Sequence, residues 1–415
     1  MKILLINKFY YIHGGSETYH FALAEMLKNS GHDVVFFSMQ DVKNFPCKQA
    51  EYFVPNVEYV GKQSLLKQII AGFKFLYSFQ AKKQLRKLIQ KEKPDIAHVN
   101  LVHRQLTFSV IDELYKHGIP IVYTIHDYIC ICPNCTMLAH GQICENCLKS
   151  GNFLSCLKIG CVKNSRVKST LAYLEATFLK KTRKYDKIDI FIGPSKFIVE
   201  KYNRSNFSRS PVIFLRNFLP KETIYQPVVT NDDYLLFFGR LSQEKGIITL
   251  LNAIKQIDEV NLHIAGEGEL RPEIEKFIET NNLANRVKLL GYQDRQSMAE
   301  IVSKCKAVVV PSEWYENCPY SIMEAQALGK PVIGADIGGI PELIVDGKTG
   351  FVFKAQSIES LERSIRQLID LKENEYRKMS SAVTEFAKEN YCHKSYINEL
   401  TKVYGSLTKQ ILPGK

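Results

Sequence analysis

Short apolar runs rich in β-branched residues alternate with longer amphipathic segments along almost the whole chain. Strands that are apolar along their full length are buried on both faces, and the segments between them form helices that cover a parallel sheet. The sequence therefore predicts an α/β protein with doubly wound parallel sheets. The predicted strands span residues 2–8, 33–39, 95–100, 121–126, 188–194, 211–216, 234–239, 261–266, 287–291, 307–311 and 331–335.

The length indicates two domains, because 415 residues exceed what one hydrophobic core usually serves. A polar stretch at residues 201–210 has the composition of a linker. We predict a Rossmann-like N-terminal domain over 1–205, a second over 206–385, and a C-terminal helix over 386–415 that packs back on the first domain. Two such domains facing across a cleft would bind ligands where their strands end.

The basic excess lies entirely in the first half of the chain. Residues 1–210 contain 30 Lys and Arg against 16 Asp and Glu, whereas residues 211–415 contain 25 against 27. The net charge of +12 therefore indicates a partner of the first domain. No apolar run reaches 18 residues, and the first residues predict a strand rather than a signal peptide, so we expect a cytoplasmic protein.

Candidate anion-binding residues follow two of the predicted strands. Gly14 and Gly15 lie between the first strand and a helix, where glycine lets backbone amides come close to an anion. In the second half, Arg240 follows the strand that ends at Gly239, and Lys245 lies near the start of the next helix. Two cations beside a helix N-terminus are suited to hold a diphosphate.

Two glutamates, Glu316 and Glu324, bracket the start of a predicted helix near Ser321. Carboxylates in such positions accept hydrogen bonds from the hydroxyl groups of sugars and ribose. The backbone amides of Cys318 and Tyr320 at the helix start are further candidates for contact with a phosphate or a sugar.

Taken together, these motifs resemble glycosyltransferase family 4, whose members are retaining, nucleotide-sugar-dependent enzymes with the GT-B fold of two Rossmann-like domains. The resemblance covers nearly the full chain. The matching elements are Gly14-Gly15, Thr124 to Asp127, Gly193 to Ser195, Gly239 to Gly246, Ala265 to Gly268, Gly291-Tyr292, Glu316 to Glu324, Gly338 to Glu342 and Asp346 to Gly350.

The resemblance implies catalytic and donor-binding roles for these residues. Arg240 and Lys245 would hold the donor diphosphate and stabilise the charge on the leaving group. Glu316 would bind the donor sugar, Glu324 the ribose, and His126 would lie beside the donor sugar and orient it. The family generally works without a catalytic metal, so we expect none here.

The resemblance also implies a wider set of donor contacts, with Gly15 approaching the phosphate and Gly291-Tyr292 meeting the base. Many relatives have glycine where this chain has Pro319, and proline removes one backbone N–H from that loop. The implied donor-binding residues are Gly14, Gly15, Gly239, Gly291, Tyr292, Asn317, Cys318, Pro319, Tyr320, Ser321 and Glu324.

Seven of the eleven cysteines crowd into residues 130–161, directly after the strand that ends at His126. Two CxxC pairs, Cys132 with Cys135 and Cys144 with Cys147, have the spacing of a structural zinc site. An iron–sulfur cluster and free or redox-active thiols are the alternatives. We predict an insertion over 130–161 on the acceptor side, folded by the metal rather than catalytic.

Two basic amphipathic stretches, 62–93 and 163–187, account for much of the positive charge. Such helices lie on anionic membrane surfaces, although the apolar stripe of each is equally suited to a protein core. Because both stretches fall in one domain, we expect contact with the anionic cytoplasmic face of the inner membrane and a peripheral location there. No RNA- or DNA-binding motif supports a nucleic-acid partner.

The sequence therefore predicts a retaining hexosyltransferase that uses a nucleoside diphosphate sugar, with UDP favoured over GDP. Its acceptor would be lipid-linked or a polysaccharide, in capsule, O-antigen or exopolysaccharide biosynthesis. A related GT-B nucleotide-sugar epimerase is one alternative, although it would not need the arrangement of two cations and two glutamates. A zinc-containing nucleic-acid-binding protein is the other, and it would leave that arrangement unexplained.

Overall fold

The computed structural model describes residues 1–56, 75–220 and 234–409. The chain divides into two compact units, which are described separately below. The first unit comprises Met1–His140, Cys144–Asn217 and His393–Lys415, and the second comprises Gly141–Ile143 and Phe218–Cys392.

Strands and helices alternate through both units. The strands are β1 (Lys2–Ile6), β2 (Asp33–Phe37), β3 (Ile96–Val99), β4 (Ile121–Thr124), β5 (Leu138–Ala139), β6 (Gln142–Ile143), β7 (Ile190–Gly193), β8 (Val212–Phe214), β9 (Tyr234–Phe238), β10 (Asn261–Ala265), β11 (Val287–Gly291), β12 (Ala307–Val310), β13 (Val332–Ala335) and β14 (Gly350–Phe353). The α-helices are α1 (Gly15–Asn29), α2 (Phe79–Glu92), α3 (Ser109–Lys116), α4 (Asn146–Ser150), α5 (Leu154–Ile159), α6 (Arg166–Lys181), α7 (Lys196–Ser205), α8 (Ile247–Lys255), α9 (Arg271–Thr280), α10 (Arg295–Lys304), α11 (Tyr320–Ala327), α12 (Ile358–Ile369), α13 (Glu373–Asn390) and α14 (His393–Lys409).

The first unit is built on a six-stranded sheet with the order β2-β1-β3-β4-β7-β8. Its neighbouring strands are all parallel, with Ile3 opposite Val34 on one side and Ile96 on the other. Strands β3 and β4 are buried along their whole length and β1 from Ile3 onward, as the uninterrupted apolar runs predict. The order reverses between β1 and β3, so the carboxyl ends of these strands form the usual binding edge of a doubly wound sheet.

The second unit repeats this design with the order β11-β10-β9-β12-β13-β14, again with parallel neighbours throughout. Its core gathers Leu250 and Ile254 of α8, Ile365 of α12 and the inward residues of β9 and β10. The order reverses between β9 and β12, and the loops that follow these two strands contain Gly239 and Arg240 after β9 and Glu316 to Pro319 after β12.

The fold class predicted from the sequence is confirmed, since both units are doubly wound Rossmann-like domains with the architecture expected for GT-B proteins. All eleven predicted strands overlap an observed strand. The prediction missed β14, which has four residues, and the short strands β5 and β6, whose two residues each carry no periodic signal. Residues 221–233, which fall in the predicted second domain, lie outside the described residues.

Candidate active site

The second unit brings two predicted site residues into direct contact. Lys245 Nζ donates a hydrogen bond to Glu316 Oε1 at 2.6 Å, although the two residues are 71 positions apart. Ser312 donates to the same carboxylate oxygen at 2.9 Å, and Glu316 is 6% exposed. The Lys245 ammonium also lies 5.5 Å from the centre of the Trp314 ring. This buried carboxylate is therefore paired with a cation whose side chain keeps about a fifth of its surface exposed.

The backbone around this ion pair is packed too tightly for side chains. Gly246 has a φ of +68°, and a Cβ there would lie 1.9 Å from the carbonyl oxygen of Pro311. Gly338 has a φ of +61°, and its Cβ would lie 2.3 Å from the carbonyl oxygen of Glu316. The amide of Gly339 donates to that same carbonyl oxygen at 2.7 Å. These contacts fix the loop after β12 against its neighbours and so hold the Glu316 carboxylate in place.

Arg240 follows Gly239 at the end of β9 and keeps most of its side chain exposed. Its Nε donates to Ser242 at 3.2 Å, and its guanidinium forms an ion pair with Glu244. Burial opposes the charge of Glu244, but hydrogen bonds from backbone and Ser242 together with Arg240 hold the pKa of Glu244 below its ordinary value. These two contacts orient the guanidinium, and most of the Arg240 side chain stays exposed to solvent.

Glu324 lies on the second turn of α11 and is partly exposed. Its carboxylate has no hydrogen-bond partner within residues 1–56, 75–220 and 234–409. Burial raises the pKa of Glu324 to about 7, and the charge of Arg295 counteracts only part of that rise. An acceptor that is desolvated yet unpaired is suited to bind hydroxyl groups of a ligand.

The other predicted donor-binding residues of the second unit lie at the end of β11 and in the segment that follows β12. Pro319 is the N-cap residue of α11 and precedes Tyr320 and Ser321 in its first turn, while Asn317 lies in the loop before it. Cys318 is buried, with Sγ 3.6 Å from Met323 Sδ. Gly291 ends β11 with a φ of +66°, and Tyr292 beside it is 78% exposed.

In the first unit, Gly14 and Gly15 form the exposed turn into α1. Gly14 is the N-cap residue, and its carbonyl accepts hydrogen bonds from the amides of Glu17 at 3.2 Å and Thr18 at 3.1 Å. Glu17 is buried beneath this turn and accepts a hydrogen bond from Asn7 at 3.1 Å.

His126 follows β4 in the same unit and is held by residues that the sequence did not single out. Its Nε2 lies 2.8 Å from Asn100 Oδ1, and Asn100 Nδ2 lies 3.1 Å from His20 Nδ1. Burial lowers the pKa of His126 to about 3, and burial together with the charge of His126 lowers that of His20 to about 3. A polar residue directly after a buried strand was the available signal for Asn100.

The C-terminal helix α14 contributes two tyrosines to this part of the first unit. The hydroxyl of Tyr404 lies 2.5 Å from His98 Nδ1, and that of Tyr396 lies 2.5 Å from the hydroxyl of Tyr19. The hydroxyl of Thr124, on β4, bonds to both His98 and Tyr19. The helix thus supports the strand that leads into His126.

The four cysteines predicted as zinc ligands do not form a metal centre as placed. Within the described parts of the chain, no group of three or more His, Cys, Asp or Glu side chains could hold a metal ion. Burial, followed by the charge of Asp127, raises the pKa of Cys135 to about 11. Burial, followed by the charge of Cys147, likewise raises the pKa of Cys132. Cys144, paired through its amide with Met137, is the fourth predicted ligand. The zinc site therefore stays a prediction from the sequence.

Two further cysteines, outside the predicted ligand set, lie close together. Cys156 Sγ is 3.5 Å from Cys161 Sγ, and Cys156 packs with Cys147 in a small buried cluster.

Comparisons with known proteins cover both units. A model of the family described as Glycosyltransferase Family 4 matches residues 13–222, and a model described as Glycosyl transferases group 1 matches residues 222–386. A 42.6 kDa protein in the cps region of Klebsiella pneumoniae is 27% identical over 356 residues, which cover 83% of this chain and 87% of that protein.

Two solved structures share the fold over their full length. Sucrose-phosphate synthase from Thermosynechococcus elongatus superimposes with a TM-score of 0.72 at 19% identity, covering 99% of each chain. Anabaena HepE, solved in complex with UDP and glucose, superimposes with a TM-score of 0.66 at 18% identity, covering 98% of this chain and all of that one.

Proposed function

This chain belongs to glycosyltransferase family 4 and is a glycosyltransferase, and from that premise we propose that it transfers a sugar from a nucleoside diphosphate sugar with retention of configuration. UDP is the favoured nucleotide over GDP. The acceptor is a lipid-linked sugar or a polysaccharide in cell-surface polysaccharide synthesis. The epimerase and the nucleic-acid-binding alternatives lose their basis, since neither describes a glycosyltransferase.

The observation that carries this proposal is the ion pair between Lys245 and Glu316, together with the exposed guanidinium of Arg240. A departing nucleoside diphosphate gains negative charge as its bond to the sugar breaks. Cations held in advance stabilise that charge without reorganising during the reaction. In the proposal Arg240 and Lys245 are these cations, so transfer needs no catalytic metal.

The two glutamates divide the remaining recognition of the donor. Glu316 keeps one carboxylate oxygen on Lys245 and Ser312, which leaves its other oxygen to accept a hydroxyl of the donor sugar. Glu324, unpaired among the described residues, accepts the hydroxyls of the ribose. The complex of HepE with UDP and glucose supports the assignment of UDP, and the relative in the cps region supports capsule synthesis.

The single tryptophan of the chain makes this proposal directly testable. Trp314 contacts Lys245, so its fluorescence reports occupancy of the diphosphate site. We expect UDP to change the emission of the wild-type protein at lower concentration than GDP does. Arg240→Ala should weaken that response at least tenfold. Arg363→Ala, which removes an exposed arginine paired only with Glu359 on α12, is the matched control and should bind UDP normally.

Turnover tests the same assignment. A thermal-shift screen over nucleotide sugars identifies the donor, because a bound donor raises the unfolding temperature. Release of the nucleoside diphosphate in the presence of that donor and a lipid-linked or polysaccharide acceptor then measures transfer. Glu316→Ala should nearly abolish this release while the protein stays folded. Near-normal turnover in Glu316→Ala would refute the assignment of the site.

We also propose that the first unit binds an anionic membrane surface, and that α6 carries the contact. The exposed side chains of Val167 and Leu174 lie two turns apart on one face of this helix, and Lys181 follows two turns later. Arg166 and Lys168 are exposed beside them. Apolar residues flanked by cations are the pattern of a helix that lies in the lipid interface.

Helix α2, which belongs to the other basic stretch, is a weaker candidate. Its apolar stripe is buried in the unit, including Leu85 and Leu88. Arg86 and Lys82 are committed to Glu113, at 2.6 and 3.9 Å. Residues 62–74 of this stretch lie outside the described residues. In the parts of the chain that the structure describes, no helix is long and apolar enough to cross a membrane.

Vesicle binding distinguishes the two helices. We expect the protein to sediment with vesicles of phosphatidylglycerol and phosphatidylcholine at low salt. The double variant R166E/K168E on α6 should lose most of this binding, at about 1 kcal/mol for each basic residue before charge reversal is counted. The variant K83E/K87E on α2 changes the net charge equally and should bind as the wild type does. Equal binding by both variants would contradict the role of α6.

A further inference from the structure

A buried chain of hydrogen bonds lies beneath His126 in the first unit. Asn100 is fully buried at the end of β3 and bonds to His126 Nε2 through Oδ1, at 2.8 Å, and to His20 Nδ1 through Nδ2, at 3.1 Å. His20 is 1% exposed, whereas His126 keeps part of its surface accessible. Asn100 and His20 are thus buried residues that hold His126 in place, and His126 itself keeps a surface that a ligand can reach.

The chemistry of the amide fixes where the protons lie. Oδ1 of asparagine only accepts hydrogen bonds, so the Nε2 of His126 must carry a hydrogen. Nδ2 only donates, so the Nδ1 of His20 must present a lone pair. A neutral imidazole carries one N–H, and therefore the Nδ1 of His126 is left as an acceptor. Burial keeps the pKa of both histidines near 3, so both are neutral at physiological pH.

We propose that Asn100 is a positioning residue that holds His126 in the tautomer protonated at Nε2, so that Nδ1 accepts a hydrogen bond from a hydroxyl group of the donor sugar. This inference rests on the proposed function and on the position beside the donor sugar that the family resemblance implies for His126. Sugar hydroxyls donate readily to a neutral imidazole nitrogen, whereas an imidazolium or the other tautomer would present an N–H in the same place.

The other titratable groups packed around His126 are also neutral in their ordinary states. Tyr19 on α1 lies edge-on to it, with ring centres 5.1 Å apart. His98 on β3 has its pKa lowered to about 3, first by burial and then by the charges of His126 and His20. Tyr404 of α14 bonds to His98, and Tyr396 of α14 bonds to Tyr19. A neutral His126 is therefore the state that its whole environment favours.

The substitution Asn100→Asp tests this inference with almost no change of shape. A carboxylate accepts at both ends, so it stabilises a doubly protonated His126 and removes the acceptor at Nδ1. We expect kcat of the variant at pH 5.5 to be at least tenfold lower than at pH 8.5, with an acidic limb that is absent from the wild-type profile. Asn252→Asp, which changes the same atoms on α8 of the second unit, should follow the wild-type profile.

Two further measurements separate this inference from the proposed function. UDP binding, followed by Trp314 fluorescence, should be unchanged in Asn100→Asp, because the phosphate-binding cations belong to the second unit. A wild-type protein that transfers no sugar would refute the proposed function itself. Wild-type activity with parallel pH profiles for both proteins would overturn only the role of Asn100.

The tautomer can also be read without any variant. In protein labelled with ¹⁵N-histidine, the resonances assigned by loss in His126→Gln should show a hydrogen on Nε2 and a lone pair on Nδ1. A hydrogen on Nδ1 of His126 would overturn the inference even if Asn100→Asp failed to fold.

Discussion

The surroundings of Glu316 in the second unit and those of His126 in the first solve opposite electrostatic problems. Around Glu316, a buried carboxylate is stabilised by the ammonium of Lys245 at 2.6 Å and the hydroxyl of Ser312. Around His126, burial keeps three imidazoles neutral, and each hydrogen bonds to an uncharged partner. The region around Glu316 contains paired charges, whereas the region around His126 contains neutral imidazoles and their uncharged partners.

The difference follows from what each region is proposed to bind. A diphosphate is an anion, so the binding site must hold cations whose own desolvation is offset before the ligand arrives. Sugar hydroxyls are neutral donors, and a neutral acceptor binds them without the cost of burying a charge. The charged region around Glu316 and the neutral region around His126 can therefore be tested separately.

The largest expected effect comes from removing Lys245, the cation that pairs with Glu316. Lys245→Ala leaves the buried carboxylate of Glu316 without its partner and removes charge stabilisation from the leaving diphosphate. We expect kcat to fall by about 10²–10³-fold, as for loss of one preorganised group in other transferases and hydrolases. Steady-state release of the nucleoside diphosphate measures this change.

A double variant shows which of the two consequences dominates. Adding Glu316→Gln to Lys245→Ala removes the unpaired charge but restores no cation. If the double variant recovered the wild-type kcat, the main function of Lys245 would be to neutralise Glu316, and its role toward the diphosphate would be contradicted.

Acidification should destabilise the first unit more than the second. Unfolded histidines bind a proton near pH 6.5, whereas His20, His98 and His126 do so only near pH 3 when folded. The unfolded state therefore binds more protons over this window, and the free energy of unfolding falls as the pH falls below 6.5. Glu175, whose burial raises its pKa to about 7, offsets one histidine in the same unit.

These three histidines and Glu175 together leave about two net protons, so their combined effect is a loss of about 3 kcal/mol per pH unit near pH 5.5. Hydrogen exchange of β3 and β4, corrected for the intrinsic exchange rate at each pH, should show this loss of protection. Strands β9 and β12 of the second unit should lose less. Equal losses in all four strands would show that buried neutral histidines do not distinguish the two units.

How far the sequence could anticipate this comparison differs between the two regions. The sequence singles out Lys245 and Glu316, because glycine-flanked cations and paired carboxylates form local patterns, but no local pattern reveals a contact across 71 residues. For Asn100 the signal was a polar residue directly after a buried strand, and it does not indicate the contacts with His126 and His20.

The cysteines depend on backbone conformation as well as on spacing. The two CxxC motifs predict four ligands around one metal, which stays a prediction, and Cys135, one of the four, has a left-handed backbone with a φ of +58°. Spacing along the chain fixes which residues are near in sequence, and backbone conformation decides which way their side chains point. The strands, by contrast, were predicted well because a buried parallel strand requires only a continuous apolar run.

Tight packing beneath the charged region should be measurable by a matched pair of glycine substitutions. Gly246 and Gly347 have nearly equal φ angles of +68° and +72°, so alanine strains the backbone equally at both. Only at Gly246 would the new Cβ meet an atom, the carbonyl oxygen of Pro311 at 1.9 Å, since it meets nothing within 4 Å at Gly347.

We expect Gly347→Ala to lower the free energy of unfolding by about 1 kcal/mol and Gly246→Ala by about 2 kcal/mol more. Urea denaturation monitored by Trp314 fluorescence measures both values. Similar losses in the two variants would mean that the loop bearing Lys245 can move away from Pro311, so that the cation is not fixed by packing.

The smallest expected effect concerns Glu324, which has no hydrogen-bond or ion-pair partner among the described residues. Its pKa is raised to about 7, so the folded state binds more protons than the unfolded state between about pH 4.5 and 7. Stability is therefore lost as the pH rises through this window, the reverse of the histidines. Glu324→Gln removes the charge at nearly constant shape and should be more stable than the wild type at pH 8, by about 1–2 kcal/mol.

This advantage should disappear at pH 4.5, where the wild-type carboxyl is protonated, and it should be accompanied by weaker UDP binding at every pH. Unfolding temperatures across the pH range, together with Trp314 fluorescence titrations, measure both effects. A carboxylate kept for ligand binding is expected to reduce the stability of the free protein, because its charge is desolvated before the ribose arrives. A variant that is less stable than the wild type at pH 8 would contradict this, and would show that Glu324 already has a stabilising partner in the folded protein.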